Sequence, residues 1–298
     1  MKTANLLPHL GAAVLALGIC APAAADGPFY LRAVSPCRLV DTRQASGPFG
    51  GPALANGVTR AFAVEGRCLP AIPSSATAVY VTVTAITPSA QGHLRLFEAG
   101  ASLPATSSLN FAAGSDATTN GTVVNLSSSG LSVYAALAAA GTVHVTIDIL
   151  GWYGAAGERG ALRFVGVPPC RLVDTRNAAG SNGGPILSSG QTRVFPVTNR
   201  CGIPAQARAI AVTATAVAPS SGGYLTLAPG SGMRSGSGTP TTVTVAFPAG
   251  VTARAAPSIA LLEGITAQPP TSGVPVYANV SAGGTVHFVL DVTGFYKE

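Results

Sequence analysis

Residues 36–68 and 169–201 can be laid over one another without a gap, and 21 of the 33 positions are identical. Each segment opens on the same octapeptide, PCRLVDTR, and closes on a cysteine. A duplication at this level means one structural unit used twice, so whatever the first copy folds into, the second repeats. The register continues more loosely beyond the segment. Residues 78–88 answer 209–219, residues 92–97 answer 223–228, and GTVHVTIDILGWY at 141–153 answers GTVHFVLDVTGFY at 284–296. The second copy gains twelve residues, which the polar, Pro-rich stretch 264–273 is expected to absorb as a loop. The chain therefore divides into homologous domains at 26–154 and 163–298. The linker of small and polar residues at 155–162 is short enough to hold them in a fixed relation.

Inside each copy the apolar residues recur with period two. Val143, Val145, Ile147 and Ile149 fall on one face and His144, Thr146 and Asp148 on the other; Val79, Val81 and Val83 alternate with Tyr80, Thr82 and Thr84 in the same way. Alternation of β-branched residues over short runs marks half-buried strands. The Ala-rich run at 133–140 is the one window with some helical character. The predicted fold is all-β: two tandem antiparallel β-sandwich or barrel domains of eight to ten short strands each.

Residues 1–25 read as a signal peptide, with Lys2, an apolar run at 10–19 and small residues ending at Ala25. The apolar run is too short to span a bilayer, and no later segment resembles a membrane span. Cys20 follows Ile19 rather than the small residue that lipidation requires, so a lipid anchor is not expected. The expected location is secreted, periplasmic or at the cell surface. A net charge of +6 is the excess of 17 basic over 11 acidic residues, and the arginines are scattered singly. Nucleic-acid binding needs a basic stripe with interleaved aromatics, so it is not expected.

Four cysteines follow the signal peptide, Cys37 and Cys68 in one copy and Cys170 and Cys201 in the other, each pair 31 apart. In an oxidising compartment an even set at repeated spacing implies disulfides, and duplication favours one bond per domain. A zinc site would want close cysteine pairs or a Cys/His cluster, and neither occurs. No metal or cofactor is expected. In the octapeptides, Arg38 and Arg43, like Arg171 and Arg176, offer planar forks to carboxylates, while Asp41 and Asp174 suit the turn that follows. The acids recurring in both copies are these two together with Asp148 and Asp291. An Arg–Asp network joining each octapeptide to the last strand of its own domain is predicted.

Two chemical readings compete with the structural one. His144 with Asp148, and His287 with Asp291, are candidate catalytic residues, although four residues along a strand separates each pair by about 13 Å. An arginine beside Asp41 and Asp148 would lower both carboxyls, which disfavours a general acid. Candidate binding residues are the aromatics Trp152, Tyr153, Phe295 and Tyr296 closing each repeat, with Tyr224 beside Gly222–Gly223 and Phe49 in the first Gly-rich loop.

The P-C-R-L-V-D-T-R start with the closing T-V-H-x-x-x-D-x-x-G-[WF]-Y resembles a repeat found in exported proteins of actinobacteria and other soil bacteria. There it often reads P-x-R-L-L-D-T-R at the start and V-D-V-x-G-Y-Y at the end. The resemblance implies a surface or substrate-adhesion module with no assigned catalytic set. It also implies that the cysteines, found in only some relatives, reinforce the scaffold. The expected function is thus an exported structural or binding module whose partner is a cell-wall or extracellular polysaccharide. The alternative is an extracellular hydrolase or lyase acting on a polymer, with its site between the two domains.

Overall fold

A computed structural model describes residues 29–155, 160–227, 240, 242–262 and 273–298. The signal peptide with Cys20, the centre of the linker and residues 264–272 lie outside them. Nine strands form in each copy among the described residues. The first copy contains β1 (Tyr30–Asp41), β2 (Leu54–Ala55), β3 (Thr59–Phe62), β4 (Ala78–Ile86) and β5 (Gly92–Glu98). It continues with β6 (Leu109–Phe111), β7 (Ala117–Asn125), β8 (Leu131–Leu137) and β9 (Thr142–Gly154). The second copy contains β10 (Arg163–Asp174), β11 (Leu187–Ser188), β12 (Thr192–Pro196), β13 (Ala209–Val217) and β14 (Gly223–Leu227). It ends with β15 (Val245–Phe247), β16 (Ala253–Leu261), β17 (Gly273–Val280) and β18 (Thr285–Lys297).

Each copy builds two antiparallel sheets. In the first they run β1-β9-β4-β7, with β2 on β9, and β3-β8-β5-β6. In the second they run β10-β18-β13-β16, with β11 on β18, and β12-β17-β14-β15. The period-two pattern explains how these layers close. Val79, Val81, Val83 and Ala85 of β4, with Val143, Val145, Ile147 and Ile149 of β9, meet Leu94, Leu96, Val133 and Ala135 of the facing sheet in one core. The second core repeats the arrangement with Ile210, Val212, Ala214, Phe288 and Leu290 against Leu225, Val274 and Val276. The Ala-rich window is not helical: residues 133–137 belong to β8, where Val133, Ala135 and Leu137 alternate inward, and 138–140 lie in the connection that follows.

Strand register also corrects the placement of the twelve extra residues. Gly92 pairs with Phe111 and Gly223 with Phe247, so the second copy is five residues longer between those partners. The remaining seven fall between β16 and β17. One of the two expanded connections is therefore the one that leads into β15.

Every letter of the octapeptide has a physical task. β1 and β10 are edge strands, where proline costs no ladder bond, and both carry bulges around the Pro-Cys-Arg step. Cys37 bonds to Cys68 and Cys170 to Cys201. Leu39, Val40, Leu172 and Val173 enter the cores. Thr42 donates its backbone N–H to the Val145 carbonyl (3.0 Å), and its hydroxyl accepts from the Val145 N–H (2.8 Å). Thr175 does the same with Phe288. Arg43 clamps Asp41 through Nε (2.9 Å) and Nη2 (2.7 Å), while its backbone N–H donates to the same carboxylate. Arg176 repeats the clamp on Asp174.

These clamps hold the carboxyls of Asp41 and Asp174 down at about 2. For Asp41 burial opposes the shift and the Arg43 hydrogen bonds overcome it; for Asp174 the Arg176 hydrogen bond is the largest influence. A carboxyl lowered in the fold takes up its proton later than the unfolded chain, so its contribution is complete above about pH 3.8 and is lost as pH falls through about 2. The thermal midpoint is expected to decline across that window, and in Asp41→Asn/Asp174→Asn the decline is expected to flatten. A pH series of thermal melts measures both.

Candidate functional site

The two domains are not separate beads. β15 and β16 of the second lie against β7 of the first. Ile259 and Leu261 of β16, with Ala209 and Tyr296, form a shared apolar cluster with Leu31, and Tyr80 and Tyr153 pack against it. Burial pushes the Tyr153 and Tyr296 hydroxyls upward from the usual phenol range, and each bears on the other. At Gly121 a Cβ would stand 2.3 Å from the Pro257 carbonyl oxygen, so this position in β7 admits the second domain only because it is glycine.

The contact converts one Arg–Asp pair into a buried junction. Arg38 donates through Nε and, at 3.2 Å, through Nη2 to Asp148, and through Nη1 to Asp41 (3.2 Å). Asp148 also accepts the backbone N–H of Val243 from the second domain at 2.8 Å, and Thr82 donates to the Val243 carbonyl at 2.9 Å. Burial pushes the Asp148 carboxyl up from the usual range, against the pull of Arg38 and the Val243 N–H. The sequence argument that arginine lowers both acids thus holds for Asp41 and fails for Asp148, because desolvation outweighs the ion pair there. In the second domain Arg171 makes the matching pair with Asp291 (2.8 and 3.0 Å), but at the surface.

Beside this junction the domains leave a cleft of about 740 Å³. The first domain contributes Arg38, Asp41, Arg43, Gln44, Asp116 and Thr146; the second contributes Tyr224, Phe247, Asn279 and Ser281. Tyr224 is half-buried, tilted against Tyr277 at 6.5 Å, and burial raises its hydroxyl. The lining balances two guanidiniums against two carboxylates. Thr146 adds a hydroxyl that is buried and has no hydrogen-bond partner.

Of the expected binding aromatics, the structure brings Tyr224 alone into this cleft. Trp152 is buried in the first core with Arg32 over its ring at 4.6 Å, and Phe295 is buried in the second. Tyr153 and Tyr296 are taken up by the domain contact, and Phe49 stacks on Phe62 under Arg67. These rings are taken up largely by the protein's own contacts, with Trp152 also lining a smaller cavity of about 230 Å³ beside Arg32, Pro70 and Leu162. His144 bonds to Thr42 and His287 to Thr175, whereas Asp148 and Asp291 bond to arginines, so neither candidate His/Asp pair converges. Among the described residues no three metal-ligating side chains come together.

Sequence reasoning passed over Arg60 and Arg193, the identical Thr-Arg of each repeat. Arg60 donates to the carbonyls of Gly47, Gly50 and Pro52, and Arg193 to those of Gly180, Gly184 and Pro185, which fixes the loop after each octapeptide. Their identity in both copies was the available signal. Gln44, Asp116 and Asn279 could not be found that way, since the cleft joins unlike parts of the two repeats.

No protein-family model matches the chain, and no curated protein sequence matches it. Among solved structures it is similar to the N-terminal CBM22-1–CBM22-2 tandem domain of Paenibacillus barcinonensis Xyn10C. That likeness is 10% identical with a TM-score of 0.24 and covers 89% of this chain and 99% of that one. It is also similar to the Macrobrachium rosenbergii nodavirus structure, 7% identical with a TM-score of 0.22, over 99% of this chain and 97% of that one. What the chain's own strands establish is an all-β protein of tandem antiparallel sheets with two disulfides.

Proposed function

We propose that this is an exported polysaccharide-binding module whose single binding site is the cleft between its domains. The observation that carries the reading is the lining: a half-buried Tyr224 ring beside Arg43, Gln44, Asp116, Asn279 and Ser281 in a charge-balanced cavity. An aromatic face supplies apolar contact to a sugar ring, and convergent amides, hydroxyls and fixed charges answer its hydroxyl groups. A volume of about 740 Å³ lies in the range of small-ligand sites, roughly 300–1,000 Å³. The balanced charge favours a neutral glycan over a polyanion.

Binding rather than bond cleavage is favoured by the state of Asp41, the cleft acid that belongs to the octapeptide. A general acid needs a carboxyl poised near the working pH, whereas Arg43 holds Asp41 at about 2. Export accords with the two disulfides and with the signal-like residues 1–25. Among the described residues no helix is long and apolar enough to cross a membrane. We take the chain as a tandem of the exported repeat that its octapeptide resembles.

Retention on a panel of insoluble cell-wall and extracellular polysaccharides, with the supernatant assayed for released sugar, tests the proposal. The protein is expected to be retained on at least one neutral polymer without releasing product. Tyr224→Ala is expected to weaken retention roughly tenfold to a hundredfold, the loss of about 1.5–3 kcal/mol of ring burial and stacking. Released product would establish hydrolysis instead, and unchanged retention of the variant would remove the cleft from the account.

A further inference from the structure

The floor of the cleft carries a hydroxyl that the fold itself does not use. Thr146 stands on the outward face of β9, between Val145 and Ile147 of the core, and it lines the cleft while only 1% exposed. Among the described residues its Oγ1 has no hydrogen-bond partner. Strand register sets it in a polar row across the sheet: Asp41 of β1, Thr146 of β9, Thr84 of β4 and Thr119 of β7. The hydroxyls of Thr84 and Thr119 satisfy each other at 2.9 Å, and Asp41 is held by Arg38 and Arg43. The corresponding row of the second domain reads Asp174, Val289, Thr215 and Ala255. The repeat thus accepts valine here, and the first domain holds a hydroxyl instead, although burying one unbonded costs stability. The cleft is also closed at one end. Two residues along the same strands, Thr82 and Asp148 are paired and covered by Val243, which takes a hydrogen bond from the one and gives one to the other. Thr146 lies one such step, about 7 Å, from that seal. The mouth lies in the other direction, where Ile86 lines the cleft with the exposed Asp116 and Ser281.

We propose that the cleft takes a glycan by the end of its chain, with the terminal residue seated on the floor and one of its hydroxyl groups bonded to Thr146. This rests on the reading of the cleft as the polysaccharide site and narrows it, because a chain bound through its middle needs a cleft open at both ends. A sugar hydroxyl matches the floor, since a threonine hydroxyl both donates and accepts and the ligand group can answer in either sense. The terminal residue of a chain also carries a free hydroxyl where an internal residue carries a glycosidic linkage. Thr146 is then a specificity-determining contact at the blind end, and Tyr224 supplies the apolar face nearer the second domain.

Two measurements with the neutral polymer that retains the protein test this. Partial acid hydrolysis is expected to raise the binding capacity per gram of polymer in proportion to the number of chain ends. Thr146→Val is expected to weaken affinity for soluble oligosaccharides of that polymer roughly fivefold to fiftyfold, the loss of one buried hydrogen-bond partner, while the thermal midpoint stays level or rises. Capacity that ignores the number of ends would overturn the end-on mode. So would a Thr146→Val protein that binds as tightly as its parent, or one that only loses thermal stability, while Tyr224→Ala still weakens binding; the cleft would then remain the site. Binding unaltered in Tyr224→Ala would remove the cleft itself, and this mode with it.

Discussion

Asp148→Asn is expected to lower the unfolding free energy by roughly 3 kcal/mol, while Asp291→Asn changes it by less than about 1 kcal/mol. Both residues accept two hydrogen bonds from the arginine of an identical octapeptide, so contact inventories within each domain give no reason for a difference. The difference lies in what surrounds them. Asp148 is sealed by the second domain and also holds the Val243 N–H, so neutralising it strands the largely buried Arg38 and weakens a contact between domains. Removing one member of a buried pair generally costs 3–5 kcal/mol, moderated here because Arg38 keeps Asp41. The Arg171–Asp291 pair stands in water, where such pairs are worth about 0–1 kcal/mol. Denaturant titration of both variants measures the contrast, and equal losses would show that the domains do not close over Asp148.

Removal of a disulfide is expected to have an effect of similar size. Cys37→Ala/Cys68→Ala opens a loop with a sequence separation of 31, and the chain-entropy account assigns such a crosslink about 3–4 kcal/mol. The loss is expected to appear mainly as an earlier unfolding transition of the first domain. Because that domain forms one wall of the cleft, ligand retention is expected to fall at the same temperature. A variant whose midpoint stays within a degree of the parent would mean that the bulged edge of β1 is held by its other contacts alone.

The parts of this molecule that the amino-acid sequence disclosed are those that the duplication repeats. Cysteine spacing led to the Cys37–Cys68 and Cys170–Cys201 bonds, and the recurring Arg and Asp led to the octapeptide network. Period-two alternation led to the strands. What stayed hidden depends on letters that differ between the copies. Val243, Ile259 and Leu261 have no identical partners in the first repeat, and they carry the domain contact. One octapeptide therefore sits in two environments, and no property of the octapeptide alone predicts which copy is buried. The aromatics closing each repeat were misleading for a related reason: an alternating strand ending in Gly-Trp-Tyr or Gly-Phe-Tyr sends one ring inward to the core and the next outward, and here the outward ring meets the other domain.

The central claim is that two like domains make one site between them rather than one site each. Calorimetric titration with a soluble oligosaccharide of whichever polymer retains the protein tests this most directly. One ligand is expected to bind per chain, with the affinity weakened roughly tenfold to a hundredfold in Tyr224→Ala. Two ligands per chain with equal affinity, or a titration unaltered by Tyr224→Ala, would contradict it.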